Sequence, residues 1–175
     1  KDFPGAVFAV VRHGKLAHLE SFGDKQWLPE KAPVKKNTIY DLASLSKVTS
    51  TAICTMILVE RGKIRLTDKV KDYLPGFKGF ATEKGDTIDI RIADLLTHSS
   101  GLPAYAPVAT VVEQGGANPT ALLDYIKNCS RSPEPKKRFR YSCLNFITLQ
   151  HVLEAVTGQT ISQFAQENLF DVLGM

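Results

Sequence analysis

Cysteine is scarce in this sequence: 175 residues contain three, Cys54, Cys129 and Cys143. Their odd number and wide spacing exclude a disulfide framework and a Cys-x-x-Cys metal clip; at most one bridge can form and none is required. Long apolar runs are missing too. No stretch approaches 18 consecutive apolar residues, and the opening Lys1-Asp2-Phe3-Pro4-Gly5 lacks the features of a signal peptide. The expectation is no membrane segment, and either a soluble cytoplasmic chain or one whose targeting segment has been removed. The four histidines, His13, His18, His98 and His151, form no His-x-x-x-His or His-Glu-x-x-His, and Gly115-Gly116 is not followed by the Gly-Lys-Ser/Thr of a phosphate loop. Metal and nucleotide chemistry therefore drop out, and no cofactor or metal is expected. Charge of one sign is also weak. Twenty-two basic against 18 acidic residues leave +4, far from a nucleic-acid-binding profile.

What is present is the composition of an ordinary globular protein, 43% hydrophobic and 23% charged, at a length that fits a single domain over residues 1–175. Gly5 to Val11 and Lys15 to Ser21 flank the turn signal His13-Gly14 and read as an antiparallel hairpin. Asp24 to Lys36 reads as a loop leading to a short extended piece, Thr38 to Tyr40. From Ser44 to Arg61 apolar residues fall on most sides, which predicts a helix buried inside the domain, stopped at Gly62. Helices are also predicted from Thr67-Asp68 to about Leu74, from Ala93 to His98, and from the Asn118-Pro119 start to about Asn128. Two more cover Leu144 to Val156 and Ile161 to Leu173, the latter opened by a capping box of Thr160 and Gln163. Two strands followed mostly by helices give an α+β pattern with an incomplete sheet. A two-stranded hairpin is rarely stable alone, so it must pack on helices or pair with further strands.

Ser44-Leu45-Ser46-Lys47 matches Ser-x-x-Lys, although a chain with 10 Ser and 15 Lys produces about one such match by chance. At a helix start, positions i and i+3 share a face, so the Lys47 amine can reach the Ser44 hydroxyl. Free backbone N–H groups there can stabilise an oxyanion. A lysine desolvated in an apolar site has its pKa lowered and can act as the base that activates serine. The plain alternative is a capping serine beside a solvated lysine. Tyr141-Ser142-Cys143-Leu144-Asn145 precedes a helix, and Tyr141 can relay a proton or simply pack. The basic run Lys136-Lys137-Arg138-Phe139-Arg140 is either a solvated loop or an attraction for a carboxylate-bearing substrate. His98-Ser99-Ser100-Gly101 reads as the end of a short helix, with Gly101 at its C-cap, rather than as histidine chemistry.

Taken together, Asp41-Leu42-Ala43-Ser44-Leu45-Ser46-Lys47, Leu95-Leu96-Thr97-His98-Ser99-Ser100-Gly101-Leu102-Pro103 and Phe139-Arg140-Tyr141-Ser142 resemble the serine β-lactamase and penicillin-binding-protein family. The likeness is to its class C-like branch, with esterases, D-alanyl-D-alanine carboxypeptidases and D-aminopeptidases, and it spans the chain in order. The resemblance implies a β-lactamase/transpeptidase-like fold and a serine hydrolase. Ser44 would be the nucleophile, Lys47 the base and Tyr141 the proton relay, in acyl transfer through an acyl-enzyme. The substrate would be a small ester, amide, β-lactam or peptide.

Two departures qualify it. The family's Tyr-x-Asn is here Tyr141-Ser142-Cys143, so Cys143 lacks the amide that would grip a substrate, and Asn145 two residues on is the candidate substitute. The family's third motif, Lys/His-x-Gly on a strand, is expected beyond Met175. The chain thus reads as the N-terminal portion of an enzyme truncated before that motif, with the central antiparallel sheet incomplete. Two partner expectations follow, a missing C-terminal half or self-association. Both departures also fit a non-catalytic penicillin-recognising sensor or scaffold of the same fold. The resemblance suggests the bacterial periplasm or cell envelope, whereas three free thiols fit a reducing cytoplasm equally well.

Overall fold

His13 and Gly14 both take positive φ, 49° and 71°, as a two-residue hairpin turn matched to the right-handed twist of its strands requires. The computed structural model describes residues 3–175 and folds antiparallel strands β1 (Gly5–Arg12) and β2 (Lys15–Gln26) on either side of that turn. Pairing runs from Arg12 opposite Lys15 to Gly5 opposite Gly23, with an irregularity between Val10 and Val11 that skips Ala17. Gly23 is needed at its place: its φ is 68°, and a Cβ there would lie 2.2 Å from the Pro4 carbonyl oxygen.

The expected loop from Asp24 to Lys36 is partly ordered instead. β2 continues to Gln26, and Ala32–Pro33 form β3, which pairs with Asp24 and Gln26 to give the order β1-β2-β3. Proline is tolerated there because β3 is an edge strand. Thr38 to Tyr40, expected to be extended, is irregular, and the Thr38 amide closes a turn onto the Lys35 carbonyl at 2.9 Å. Among the described residues the outer edge of β1 has no partner strand, and Phe8, Val10, Val11 and Leu16 are exposed.

This sheet belongs to the first of two compact units, Lys1–Ala43 and Ser44–Met175. The second unit is mainly helical. A 3₁₀ turn over Ala43–Leu45 leads into a π-helical stretch, Lys47–Ala52, and then α1 (Ile53–Glu60). There follow α2 (Val70–Tyr73), the short pair β4 (Phe80–Ala81) and β5 (Thr87–Ile88), and α3 (Ile92–Leu96). Next come α4 (Val108–Gly115), α5 (Pro119–Asn128) and α6 (Cys143–Thr157). The chain then forms α7 (Ile161–Ala165), a π-helical stretch over Gln166–Phe170 and α8 (Asp171–Leu173). Two of the predicted caps are present, whereas the helix expected to be capped at Thr67-Asp68 starts at Val70 with Lys69 as an N-cap that makes no side-chain bond. The Asn118 side chain accepts from the Ala121 amide at 2.9 Å, and Thr160 with Gln163 forms the capping box.

The buried helix at the centre is not the one predicted. The Ser44–Arg61 segment buries Cys54, Thr55 and Leu58 but leaves Val48 55% and Met56 66% exposed, so only one side of it faces core. That central place belongs to α6, which buries a broad face from Leu144 to Leu153 and leaves Ala155 exposed on the other side. Leu144, Leu149 and Val152 enter a cluster with Val70, Leu74, Ile92, Leu95 and Ile126. Leu153 enters a second with Cys54, Leu58, Ile64 and Phe164. Its buried hydroxyl, Thr148, donates to the Leu144 carbonyl at 2.7 Å, so it brings no unmet polar group into the core.

Asp68 organises the entry to α2. One carboxylate oxygen accepts from the Arg65 amide at 2.7 Å and from the Tyr73 hydroxyl at 2.5 Å. The Tyr73 hydrogen bond, with help from Arg65 and against some desolvation, holds the Asp68 pKa below the usual carboxylate value. Burial and the same bond push Tyr73 up to about 12.

Two stability outcomes are expected in the full-length protein. Leu149→Ala, at a fully buried site on α6, should cost about 2–5 kcal/mol in a denaturant titration, and a loss below 1 kcal/mol would contradict its central place. Asp68→Asn should lower Tm at pH 7. Because the folded-state pKa of Asp68 is depressed, its contribution is present above about pH 4 and fades as pH falls through the folded value. The gap between variant and wild type should therefore narrow by pH 3; an unchanged gap would rule out the ionised bond as its source.

Candidate active site

Ser44 follows directly on Ala43, whose φ of 43° is left-handed, a conformation that side-chain-bearing residues seldom adopt. The kinked start leaves Ser44 exposed at the head of the helical segment, with Lys47 three residues on and partly buried. Lys47 Nζ donates to Ser44 Oγ at 3.4 Å and lies 5.4 Å from the centre of the Tyr141 ring. Tyr141, 97 residues from Ser44, donates its hydroxyl to the same Oγ at 2.9 Å. The three side chains singled out as nucleophile, base and relay thus meet on one oxygen.

Two loop segments bring Tyr141 there. The stretch after α3 and the stretch before α6 are laced by four backbone bonds. Ser132 donates to Gly101 at 2.7 Å, Lys136 to Ser99 at 2.8 Å, Arg140 to His98 at 2.8 Å and Cys143 to Ala104 at 2.9 Å. Gly101 permits the close approach. Its φ is 79°, and a Cβ would lie 2.2 Å from the Pro133 carbonyl oxygen. The buried Ser142 hydroxyl adds a bond to the Pro103 carbonyl at 2.5 Å, just where α6 begins. The basic run 136–140 is exposed and forms part of this laced loop.

The expected lowering of the Lys47 pKa is not found. Burial does pull it down, but it is shallow, and the interactions with the Tyr141 hydroxyl and the Cys143 thiol outweigh it, so the amine ends above its ordinary value. Lys47 is therefore an ammonium group at neutral pH. Cys143, the first residue of α6, is partly exposed on this side of the unit. Asn145, the candidate substrate-binding amide, points inward instead. It is 1% exposed, its Oδ1 accepts from the buried Ser100 hydroxyl at 2.5 Å, and its Nδ2 lies 3.1 Å from His98 Nδ1. The amide is consumed by the core, because position 145 falls on the enclosed face of α6.

Sequence reasoning set His98 aside as a helix end, yet its ring lies against Tyr141, with centroids 4.6 Å apart. Ser100 and Ser142, both fully buried, were missed as well. The only signal in the sequence was a tight cluster of hydrogen-bonding side chains beside Gly101. Among the described residues no three His, Cys, Asp or Glu side chains assemble as a metal site, and no helix is long and apolar enough to cross a membrane. The cleft lined by Val111, Tyr125 and Cys129 between α4 and α5 does not include Ser44, Lys47 or Tyr141.

Known proteins share this arrangement of elements. The chain is 29% identical to N-acetylmuramyl-L-alanine amidase of Bacillus subtilis (strain 168), over 98% of its own length and 41% of that protein. It is also 29% identical to an Escherichia coli (strain K12) protein that carries the provisional name of D-alanyl-D-alanine carboxypeptidase, over 99% of this chain and 42% of the other. Among solved structures, EstCE1, described as a hydrolase with promiscuous acyltransferase activity, superposes with a TM-score of 0.83 at 28% identity. That match covers 98% of this chain and 47% of EstCE1. A class C beta-lactamase from Rhodobacter sphaeroides gives 0.77 at 29%, covering 99% and 45%. The chain spans less than half the length of each of these relatives. The expected β-lactamase/transpeptidase-like fold is thus the one observed, and the relatives are hydrolases. Because the model of that family matches from residue 1 to residue 175, the chain belongs to the beta-lactamase family.

Proposed function

We propose that this chain carries the nucleophile, the charged lysine and the proton relay of a serine hydrolase that works through an acyl-enzyme. The observation that supports this reading is the meeting of Tyr141 and Lys47 on Ser44 Oγ, at 2.9 and 3.4 Å. A serine hydroxyl gripped by two donors is held ready, but it attacks only when its own proton leaves. Since Lys47 sits above its ordinary pKa, the ammonium is the wrong species to receive that proton. Tyr141, which donates to Oγ at rest, first releases its own hydroxyl proton to solvent beside the Lys47 cation; the phenolate oxygen then takes the Ser44 proton as Oγ closes on the acyl carbonyl, and Lys47 stabilises the negative charge that the pair carries. The carbonyl becomes a tetrahedral oxyanion, for which a free amide at the helix start supplies one donor. Collapse expels the leaving group, which takes the proton from Tyr141. Water then attacks the ester on Ser44 by the same route in reverse.

Cys143 in place of the amide and Asn145 turned into the core leave the chain without a side-chain amide donor at this motif. Esters therefore suit the site better than β-lactams or peptides, whose amides need that grip. The names of the amidase and of the carboxypeptidase-like relative keep small amide and peptide substrates within the reading. The remainder of the full-length protein is proposed to supply the third motif, including the second oxyanion donor, and strands for the free edge of β1. Coverage of under half of each relative and the exposed apolar residues of β1 support that assignment. A second reading, a penicillin-recognising sensor that is acylated and stops, draws on the same missing amide.

The full-length protein should take a fluorophosphonate or a β-lactam covalently at Ser44, located by peptide mass spectrometry, and Ser44→Ala should abolish the label. Tyr141→Phe should slow acylation by about 10²- to 10⁴-fold. A label at another residue, or none, would overturn the assignment. Product formation that continues past one equivalent identifies an enzyme, whereas a burst that stops there identifies a sensor. Lys47→Arg keeps a positive charge and Lys47→Ala does not. With Lys47 acting as a cation, the arginine variant should acylate at least about tenfold faster than the alanine variant. Equal loss in the two would return the proton-accepting role to the amine.

A further inference from the structure

One residue outside the trio touches three consecutive residues of the segment that carries Tyr141. The backbone carbonyl of His98 accepts from the Arg140 amide at 2.8 Å. Its ring stacks on Tyr141 at 4.6 Å between centroids and 38° between planes. Its Nδ1 accepts from the Ser142 amide at 3.2 Å. Further contacts fix the ring itself, edge-on against Phe139 at 5.8 Å and tilted against Phe146 at 5.2 Å. Reaching all of these requires a φ of 54°, an uncommon conformation for a residue with a side chain, although histidine is among those that adopt it more readily.

The hydrogen bonds also define which form of the imidazole fits. Nδ1 is approached by the Ser142 N–H and, at 3.1 Å, by the Asn145 amide nitrogen, whose partner oxygen is already occupied by the Ser100 hydroxyl. Both neighbours present hydrogens, so Nδ1 must be the lone-pair nitrogen and the ring proton must sit on Nε2. A doubly protonated ring would turn an N–H toward two other N–H donors. Burial and the nearby Lys47 charge both push His98 below the usual histidine pKa, in keeping with a ring held neutral. The groups that face it are Lys47, across Tyr141, and Tyr141, Ser142, Asn145, Phe139 and Phe146.

We infer that His98, as the neutral Nε2–H tautomer, is a positioning residue that clamps Arg140, Tyr141 and Ser142 and thereby sets the Tyr141 hydroxyl on Ser44 Oγ. It touches no reacting atom. Its effect is on the rate at which Ser44 is acylated, because an error of about 1 Å in the placement of a proton-transfer group can cost about 10²-fold. The inference rests on the reading of Ser44 and Tyr141 given above, and it is tested so that the two can fail separately.

The test measures hydrolysis of a p-nitrophenyl ester and the rate of fluorophosphonate labelling for full-length wild type, Ser44→Ala, His98→Ala and His98→Asn, with Tm for each. Asparagine places an oxygen acceptor near the position of Nδ1, tolerates positive φ and cannot titrate. His98→Ala should lower kcat and the labelling rate about 10- to 100-fold with little change in KM. His98→Asn should recover to within about tenfold of wild type. The acid limb of the wild-type profile, where His98 protonation breaks the clamp, should weaken in the asparagine variant. If Ser44→Ala is dead while folded His98→Ala matches wild type, the clamp is wrong and the hydrolase reading stands. If Ser44→Ala retains full activity, the hydrolase reading itself fails and takes the clamp with it. Equal slowing of the alanine and asparagine variants in proportion to lost Tm, with an unshifted acid limb, would reduce His98 to general packing and overturn the inference.

Discussion

Four backbone hydrogen bonds between residues 98–104 and 132–143 hold together the loops that bring Tyr141 to Ser44. Without them, Tyr141 would lie on a loop 97 positions away from Ser44, with nothing to bring it back. Closing so long an interval costs conformational entropy that one side-chain bond on an exposed surface cannot offset. The laced loops spread that cost over several buried or partly buried bonds, with the fully enclosed Ser142 and Ser100 hydroxyls each satisfied. α6 begins at the end of this lacing, and its buried face anchors the assembly in both clusters of the core.

Charge and burial divide the labour around Ser44 Oγ. A lysine intended as a neutral base needs deep desolvation, and Lys47 has little of it. Shallow burial pulls its pKa down, and the interactions with Tyr141 and Cys143 outweigh it, so the balance tips toward ammonium. His98 shows the opposite balance, kept neutral by burial and by two hydrogen-bond donors aimed at one nitrogen. Two groups that both contact Tyr141 are thus pushed in opposite directions by their surroundings, Lys47 toward its charged form and His98 toward its neutral form.

Much of this was legible in the sequence, and the exceptions have physical causes. Caps at Asn118 and Thr160, the turn at His13-Gly14 and the span of α6 follow from local chemistry and appear as expected. The meeting of Ser44 with Lys47 follows from helical spacing. Its meeting with Tyr141 is a long-range event that only the family resemblance could suggest. α4 was missed because Pro107 and the Val108–Gly115 run carry few caps or charges to mark a helix. Depth of burial was misassigned for the Ser44–Arg61 segment, since apolar content does not say which neighbour covers it. The Asn145 amide went into the core and the dismissed His98 imidazole lies against Tyr141, because polar groups inside a fold are placed by partners far away in the chain.

The wide π-helical stretch at Lys47–Ala52 has an architectural consequence of its own. Each residue of a regular α-helix advances about 100° around the axis, and a π turn accommodates one residue more than an α turn in the same rise. The Ser44 end of the segment is therefore rotated relative to α1, the part that is anchored in the core. Removing a single residue there would preserve helicity and composition while swinging Ser44 and Lys47 away from Tyr141. Chain length between anchor and hydroxyl is thus a constraint in its own right, independent of which side chains fill the interval.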